Sequence, residues 1–423
     1  MKKLILFLIL SSSLSYSKDY SLDELLMSAV KSSKYSLMEE NYSKISEKEV
    51  LDLISYYYPQ FNIDAQATYQ SDIFELPLKF PGVSLPTLRQ DQYNVSLNVS
   101  QVIWDGGAIS KNTRLSEISA LTNSENSKAK LRNVIEAVAN MYFAARKIDA
   151  IINSTTTAIN TLESNKSQIR SLVENGVLVR GDIDAIEIQI QARKQNLESL
   201  QYDLRNIMGN LNTYCEIDDI TGLIHNNIDE SQLQSLKINR NEIYALGKLQ
   251  EINLVKSEMK HTETMPKFQA FAKVGYGIPN QLNMFEQEWS DFYIVGIKMS
   301  WKPFSWFSGA RNAEIAELQN RNLEADKLEL IRQINTQLSN EKTELNKAES
   351  LLMQDITILE LQQRIIKDKY NQLIGGTATV NEYLSELNSL QQYEINMQIH
   401  RIMLENAKSN ILIKSGNYQG VLK

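Results

Sequence analysis

Residues Tyr93 to Ile103, YNVSLNVSQVI, alternate strictly between two kinds of side chain: Tyr93, Val95, Leu97, Val99 and Ile103 point one way, and Asn94, Ser96, Asn98 and Ser100 the other. A strand packed on a protein core usually turns charged groups to water. This polar face carries only small uncharged groups, and the apolar face opens on an aromatic ring, an arrangement suited to lipid on one side and water on the other. The pattern returns 200 residues later in Tyr293, Val295, Ile297, Met299 and Trp301. The chain is a duplicated unit.

Each of these strands has a partner upstream. Phe61, Ile63, Ala65, Ala67 and Tyr69 alternate with Asn62, Asp64, Gln66, Thr68 and Gln70, and Phe268, Ala270, Ala272, Val274 and Tyr276 repeat the pattern, with Pro59 and Pro266 before them. The segments 71–90 and 278–291 between paired strands read as exposed loops. A helix is expected from the capping-box pair Ser21 and Glu24 to just before Pro59. Aromatic residues crowd the exits of both strand pairs, with Trp104 in the first and Trp301, Phe304, Trp306 and Phe307 in the second. That is where membrane strands place rings at the headgroup level.

Neither Pro nor Gly occurs between Ala108 and Asn175 or between Ala310 and Ile374, so each copy is expected to contain one unbroken helix of more than sixty residues. At 1.5 Å per residue such a helix spans roughly 100 Å, which implies an elongated object. Ile331, Leu338, Leu345, Leu352, Leu359, Ile366 and Leu373 fall at strict sevens, and Leu131, Val138, Ala145, Ile152, Ile159 and Val173 match them 200 residues earlier, with Lys166 the one exception. A sustained period of seven makes a left-handed coiled coil, with a partner in the same chain or another. Glycine turns end both helices, at Gly176 and at Gly375-Gly376, and return helices are expected through 201–208 and 391–414.

Composition narrows the remaining possibilities. A net charge of −7 lacks the basic excess that a nucleic-acid surface needs. Cys215 stands alone and reads as a small buried residue, and the histidines at 225, 261 and 400 have no metal spacing. No nucleophile, base and metal set is clustered in the sequence, so no enzyme activity and no cofactor are expected. Residues 1–17, with Lys2, Lys3 and the apolar run from Leu4 to Leu10, read as a cleaved secretory signal peptide. No later segment is apolar enough to span a bilayer as a helix. A mature membrane protein of this sequence must therefore use β-strands in a closed barrel.

The opening Tyr20-Ser21-Leu22-Asp23-Glu24-Leu25, the junction SQVIWDGGAIS, and the tips NGVLVRGDIDA and GGTATVNEYLSE, together with the offset of 200, resemble the TolC-like outer membrane efflux proteins. The resemblance covers nearly all of the chain after the leader. It implies an α+β membrane protein, a homotrimer in which each chain gives four strands to a 12-stranded outer-membrane β-barrel. That barrel continues into an α-helical barrel in the periplasm. Elementary constraints agree in part: four strands cannot close, lipid-exposed edges are forbidden, and twelve strands with a polar inner face leave a water path.

Under that resemblance the first repeat is 18–210 with strands at 60–71 and 91–104, a linker or equatorial segment is 211–236, and the second repeat is 237–423 with strands at 267–278 and 291–303. Tyr93, Val95, Leu97, Val99, Tyr293, Val295, Ile297 and Met299 are expected to face outer-membrane lipid. The family's first turn, typically Val-Gly-Leu, meets a periplasmic adaptor, which places Asn175, Gly176 and Val177 there, with Gly375, Gly376 and Thr377 at the second tip. Paired aspartates constrict the family's pore; here Glu382 holds the first position and Ser385 the second, and Asp182 is the first-repeat counterpart of Glu382. Three Glu382 carboxylates brought together would favour cations, whereas an acid in the first helical turn also simply complements the helix N-terminus. The expected function is a passive exit duct of a tripartite efflux pump or type I secretion system, gated by an adaptor and an inner-membrane transporter. The alternative is a secreted trimeric coiled-coil scaffold or adhesin with a β-strand anchor.

Overall fold

The computed structural model describes residues 18–73, 89–225, 228, 233, 236–286 and 288–418. The leader expected at 1–17 and most of the loop expected at 71–90 lie outside these residues. In chain order the elements are β1 (Asp19–Tyr20), α1 (Leu22–Ser32), α2 (Lys34–Ser55), β2 (Gln60–Tyr69), β3 (Asp91–Trp104), α3 (Ala108–Glu174), α4 (Arg180–Cys215), β4 (Gly222–Leu223), α5 (Asn241–Thr262), β5 (Lys267–Ile278), β6 (Ser290–Ser300), α6 (Ser308–Ile374) and α7 (Val380–Ser415). The long helices α3 and α6 each run 67 residues and the return helices α4 and α7 each run 36. No described helix is long and apolar enough to cross a membrane.

Several expected boundaries are corrected. The single helix expected before Pro59 is two, because Ser33 is extended (φ −65°, ψ 129°) and its hydroxyl accepts from the Tyr35 N–H at 3.3 Å, replacing a helical bond with a local one. The return helices begin at the tips, at Arg180 and Val380, rather than 21 and 11 residues further on. Helix α4 also runs through the expected boundary at 210/211 to Cys215, since Leu211 and Cys215 are buried against α1. Strand β6 stops at Ser300, short of 303, where Pro303 lacks an N–H and restricts Lys302.

The chain forms two compact units, and neither is a repeat. One comprises Met1–Met38, Asn126–Asn241 and Glu329–Lys423, the other Glu39–Glu125 and Glu242–Leu328. Both copies contribute to both units. In the first unit, Leu22, Leu25, Leu26 and Ala29 of α1 pack with Ile135, Val138 and Tyr142 of α3, Leu211 of α4 and Ile402 and Leu412 of α7. The predicted capping box fixes the start of α1: Ser21 N–H donates to Glu24 Oε2 at 2.9 Å, and Glu24 N–H donates to Ser21 Oγ at 3.3 Å. Burial of Cys215 in this core pushes its thiol up to about 11, so it is a neutral packing group.

Within that unit the seven-residue period has a partner in the same chain. Along α6 the buried face comprises Leu345, Leu352, Leu359, Ile366 and Leu373, alternating with Glu341, Ala348, Asp355, Gln362 and Lys369. The polar members meet α7: Glu341 pairs with Lys414 at 2.5 Å, Asp355 with His400 at 2.6 Å, and Gln362 donates to Glu386 at 2.7 Å. Such polar layers fix register, since sliding the helices would strand each group against an apolar neighbour.

The second unit carries the sheet, antiparallel throughout in the order β2-β3-β5-β6. Its register aligns Ile63, Leu97, Val274 and Tyr293 across one face, and Asp64, Ser96, Gly275 and Phe292 across the other. A bulge between Val102 and Trp104 brings Trp104 opposite Phe268, so Ile103, expected on the apolar face, falls in the irregularity. The polar face of the second strand pair is also less uniform than that of the first. It holds Lys273 and Lys298, and the rings of Phe292 and Phe271 lie over Gly275 and Gly296, where a Cβ would come within 2.3 and 2.9 Å of them.

Candidate functional site

Two places hold the predicted site residues, the helical tips and the apolar sheet face. Each tip is a Schellman turn. Gly176 (φ +75°) donates to Val173 O at 3.0 Å and Val177 to Leu172 O at 2.9 Å; Gly376 (φ +70°) donates to Leu373 O at 3.1 Å and Thr377 to Gln372 O at 2.9 Å. The left-handed backbone requires glycine at these two positions, and nothing within 4 Å would meet an added Cβ. Asn175 and Gly375 close the last helical turn, donating to Ser171 O at 3.1 Å and Asn371 O at 3.0 Å.

Both acids singled out at the tips act as helix caps. Asp182 Oδ2 accepts the Val179 N–H at 3.1 Å. Glu382 Oε2 accepts the Thr379 N–H at 3.2 Å, while Glu382 N–H donates to Thr379 Oγ1 at 3.2 Å. Lys369 then approaches Glu382 Oε2 at 3.5 Å, so this carboxylate has its own counter-ion on α6. That lysine escaped the sequence reading, although a lysine three residues after Ile366 in a heptad seam was the signal.

The two hairpins are joined next to the tips. Ile159, Leu162 and Ile169 of α3, Ile186 and Ile190 of α4, Leu373 of α6, and Val380, Tyr383, Leu384 and Leu387 of α7 form one apolar cluster. Three polar contacts cross it: Asn165 Nδ2 donates to Tyr383 Oη at 2.9 Å, Tyr370 Oη donates to Gln168 Oε1, and Arg193 donates to Asn388 Oδ1. Burial pushes the Tyr383 phenol above its ordinary pKa, which keeps it neutral and hydrogen-bonded. None of these polar contacts was predicted, because the partners come from different copies and only the packing brings them together.

On the sheet, Tyr93, Val95, Leu97 and Val99 share a face with Tyr293, Val295, Ile297 and Met299 through β5. Most of these side chains are exposed, Val295 by 73% and Ile63 of the neighbouring edge strand by 73%, so a broad apolar surface meets the surroundings. Strands β2 and β6 are the edges of this sheet. Among the described residues, no group of three or more His, Cys, Asp or Glu is placed to hold a metal ion.

Residues 55–214, which hold the first strand pair, the first long helix and the first tip, match the family described as outer membrane efflux protein. Over that stretch the chain is similar to the outer membrane efflux proteins. Nearly all of the chain has the fold of solved outer-membrane channels. VceC of Vibrio cholerae superposes with a TM-score of 0.70 at 13% identity, covering 93% of this chain and 96% of that one. CusC gives 0.73 at 12% identity, covering 94% and 92%, and the open-state MtrE outer membrane channel of Neisseria gonorrhoeae 0.67 at 13%, covering 95% and 89%. No curated protein matches the chain by sequence. In this fold the two copies agree in helix length, with long helices of 67 residues and return helices of 36 in each.

Proposed function

We propose that the protein is the outer-membrane exit duct of an export system, assembled from three chains. The observation that carries this reading is the four-stranded sheet with one continuous apolar face, one polar face and two open edges. An exposed edge in lipid leaves backbone N–H and C=O groups without partners, so β6 of one chain must pair with β2 of the next. Twelve strands from three chains close such a ring and leave a polar interior. Tyr93, Val95, Leu97, Val99, Tyr293, Val295, Ile297 and Met299 then face outer-membrane lipid.

The helical hairpins extend the duct into the periplasm, where an adaptor docks at Asn175, Gly176, Val177, Gly375, Gly376 and Thr377, and an inner-membrane transporter supplies the energy. Opening separates the second hairpin from the first, at the cost of the contacts of Tyr383 and Tyr370. The tip carboxylates serve chiefly as caps. A ring of three Glu382 would carry three Lys369 with it, so its net field on passing ions is weak.

Conductance in a planar bilayer, with oligomeric mass measured in the same detergent, tests the proposal. A trimer with discrete steps is expected, and a monomer without conductance overturns the reading. Leu97→Arg or Ile297→Arg is expected to impair membrane assembly, because an arginine at the bilayer midplane costs about 2–4 kcal/mol.

A further inference from the structure

In the second unit a groove of about 550 Å³ lies where the beginnings of α3 and α6 meet the end of α5 and the start of β5. That volume is in the range of small-molecule sites, roughly 300–1,000 Å³. Its floor is apolar, made by Leu115, Met259, Ile315 and Ala316, and Ile315 is half exposed although it faces a concave surface. Its charged lining is Lys256, Lys260 and Lys267 against Glu263. Lys260 is tied to that glutamate at 2.8 Å, and Lys267 and Lys302 act on the same carboxylate, so positive charge stays in excess.

Lys267, which lines the groove, stands on the polar face of the sheet. Along β5, Lys267 and Lys273 alternate with Phe268, Ala270 and Ala272, and Lys298 of β6 stands on the same side as these lysines, opposite Gln269. Asp64 is the one acid on this face within the four strands, and it accepts from Asn62 at 2.9 Å and Asn98 at 2.6 Å. A lysine-lined apolar groove whose Lys267 belongs to a lysine-bearing polar face suits a ligand with an apolar body and an anionic head. Because Lys267 belongs to the polar face and not to the exposed apolar one, the groove favours a molecule passing through the interior over a membrane lipid.

We propose that this groove binds small amphiphilic organic anions, carboxylates or sulfonates with an aromatic or alkyl body, as a station for cargo of that class. The step from binding to transport rests on the export reading, whereas binding itself does not. The probe is 1-anilinonaphthalene-8-sulfonate, titrated by fluorescence against the full chain in nanodiscs of zwitterionic phosphatidylcholine.

Saturable binding is expected, with affinity reduced at least tenfold in Lys256→Gln/Lys267→Gln. Gln319→Trp on the exposed groove wall is expected to reduce it as well. The neutral N-phenyl-1-naphthylamine should bind weakly and ignore the lysine changes, and Lys44→Gln, outside the groove, should leave the sulfonate affinity unchanged. Equal affinity in the wild type and the double lysine variant overturns the proposal. So does stoichiometric displacement of the probe by phosphatidylglycerol, which assigns the groove to lipid. A chain that conducts without binding the probe sinks this inference alone, while loss of conductance is the failure of the duct.

Discussion

At the seam of the first hairpin Lys166 occupies the position that Ile366 holds in the second, and Ile169 the position that Lys369 holds. Each lysine meets a glutamate on its own return helix, Lys166 with Glu187 and Lys369 with Glu382. Where the first copy has Glu187, the second has Leu387, which is buried in the cluster between the hairpins. The ion pair has moved one layer toward the tip, and the apolar residue has moved the other way. Two helices of 67 residues and two of 36 tolerate this exchange because a coiled-coil layer needs a matched pair, and either an apolar or a charged pair satisfies it.

The largest expected effect comes from breaking the match in one partner only. Leu387→Glu imitates the first copy but leaves the new carboxylate facing Ile366. Loss of the buried leucine alone costs about 2–5 kcal/mol. Adding Ile366→Lys restores the pairing of the first copy and is expected to recover part of the loss, read by thermal unfolding in a double-mutant cycle. Strictly additive losses would mean that the two seams are not interchangeable. A smaller loss is expected from Asp355→Ala, which removes the carboxylate from His400 where the first copy has Thr155; leaving one half-buried polar group unsatisfied costs about 1–3 kcal/mol.

The two glycine turns sharpen the comparison from the opposite side, since there the copies are alike. Gly176→Ala and Gly376→Ala each force an L-residue into left-handed backbone, at about 1–2 kcal/mol. Because both positions are open, the two losses in unfolding free energy should agree within about 0.5 kcal/mol. A larger gap would show that one tip makes a contact the other lacks.

These seams also show what the sequence discloses. The offset of 200, the strand alternation, the heptads and the glycine turns are local patterns, and they place both tips and the apolar face of the sheet. The break at Ser33 was hidden because serine is compatible with a helix until its hydroxyl finds the Tyr35 N–H. The bulge at Val102 to Trp104 was hidden because it depends on the partner strand. Tyr383, Asn165, Tyr370 and Gln168 were invisible for a related reason: each is unremarkable on its own helix, and their contacts arise only when helices about 200 residues apart in sequence pack together.

The smallest effect concerns Glu394 and its counterpart Lys194. Lys194 is tied to Glu163 at 2.8 Å in an exposed pair, and that hydrogen bond raises its pKa, so whatever it contributes is present throughout neutral pH and lost only as pH climbs through its own titration. Glu394 is shifted by burial, which pushes its carboxyl above the ordinary range. A carboxyl with a raised folded pKa binds its proton more tightly in the native state than in the unfolded one. Below the unfolded value, about 4.3, it is neutral in both states and folding is not opposed. As pH rises through the folded pKa, ionisation of the half-buried group opposes folding, and above it the penalty is complete. Glu394→Gln stays neutral throughout, so it should unfold at the wild-type temperature at about pH 4 and slightly above it at about pH 7. Lys194→Gln should show no such gain at either pH. A Glu394→Gln variant less stable than wild type at neutral pH would show that the ionised carboxylate has a stabilising role in the native chain, and that the two copies differ here by more than burial.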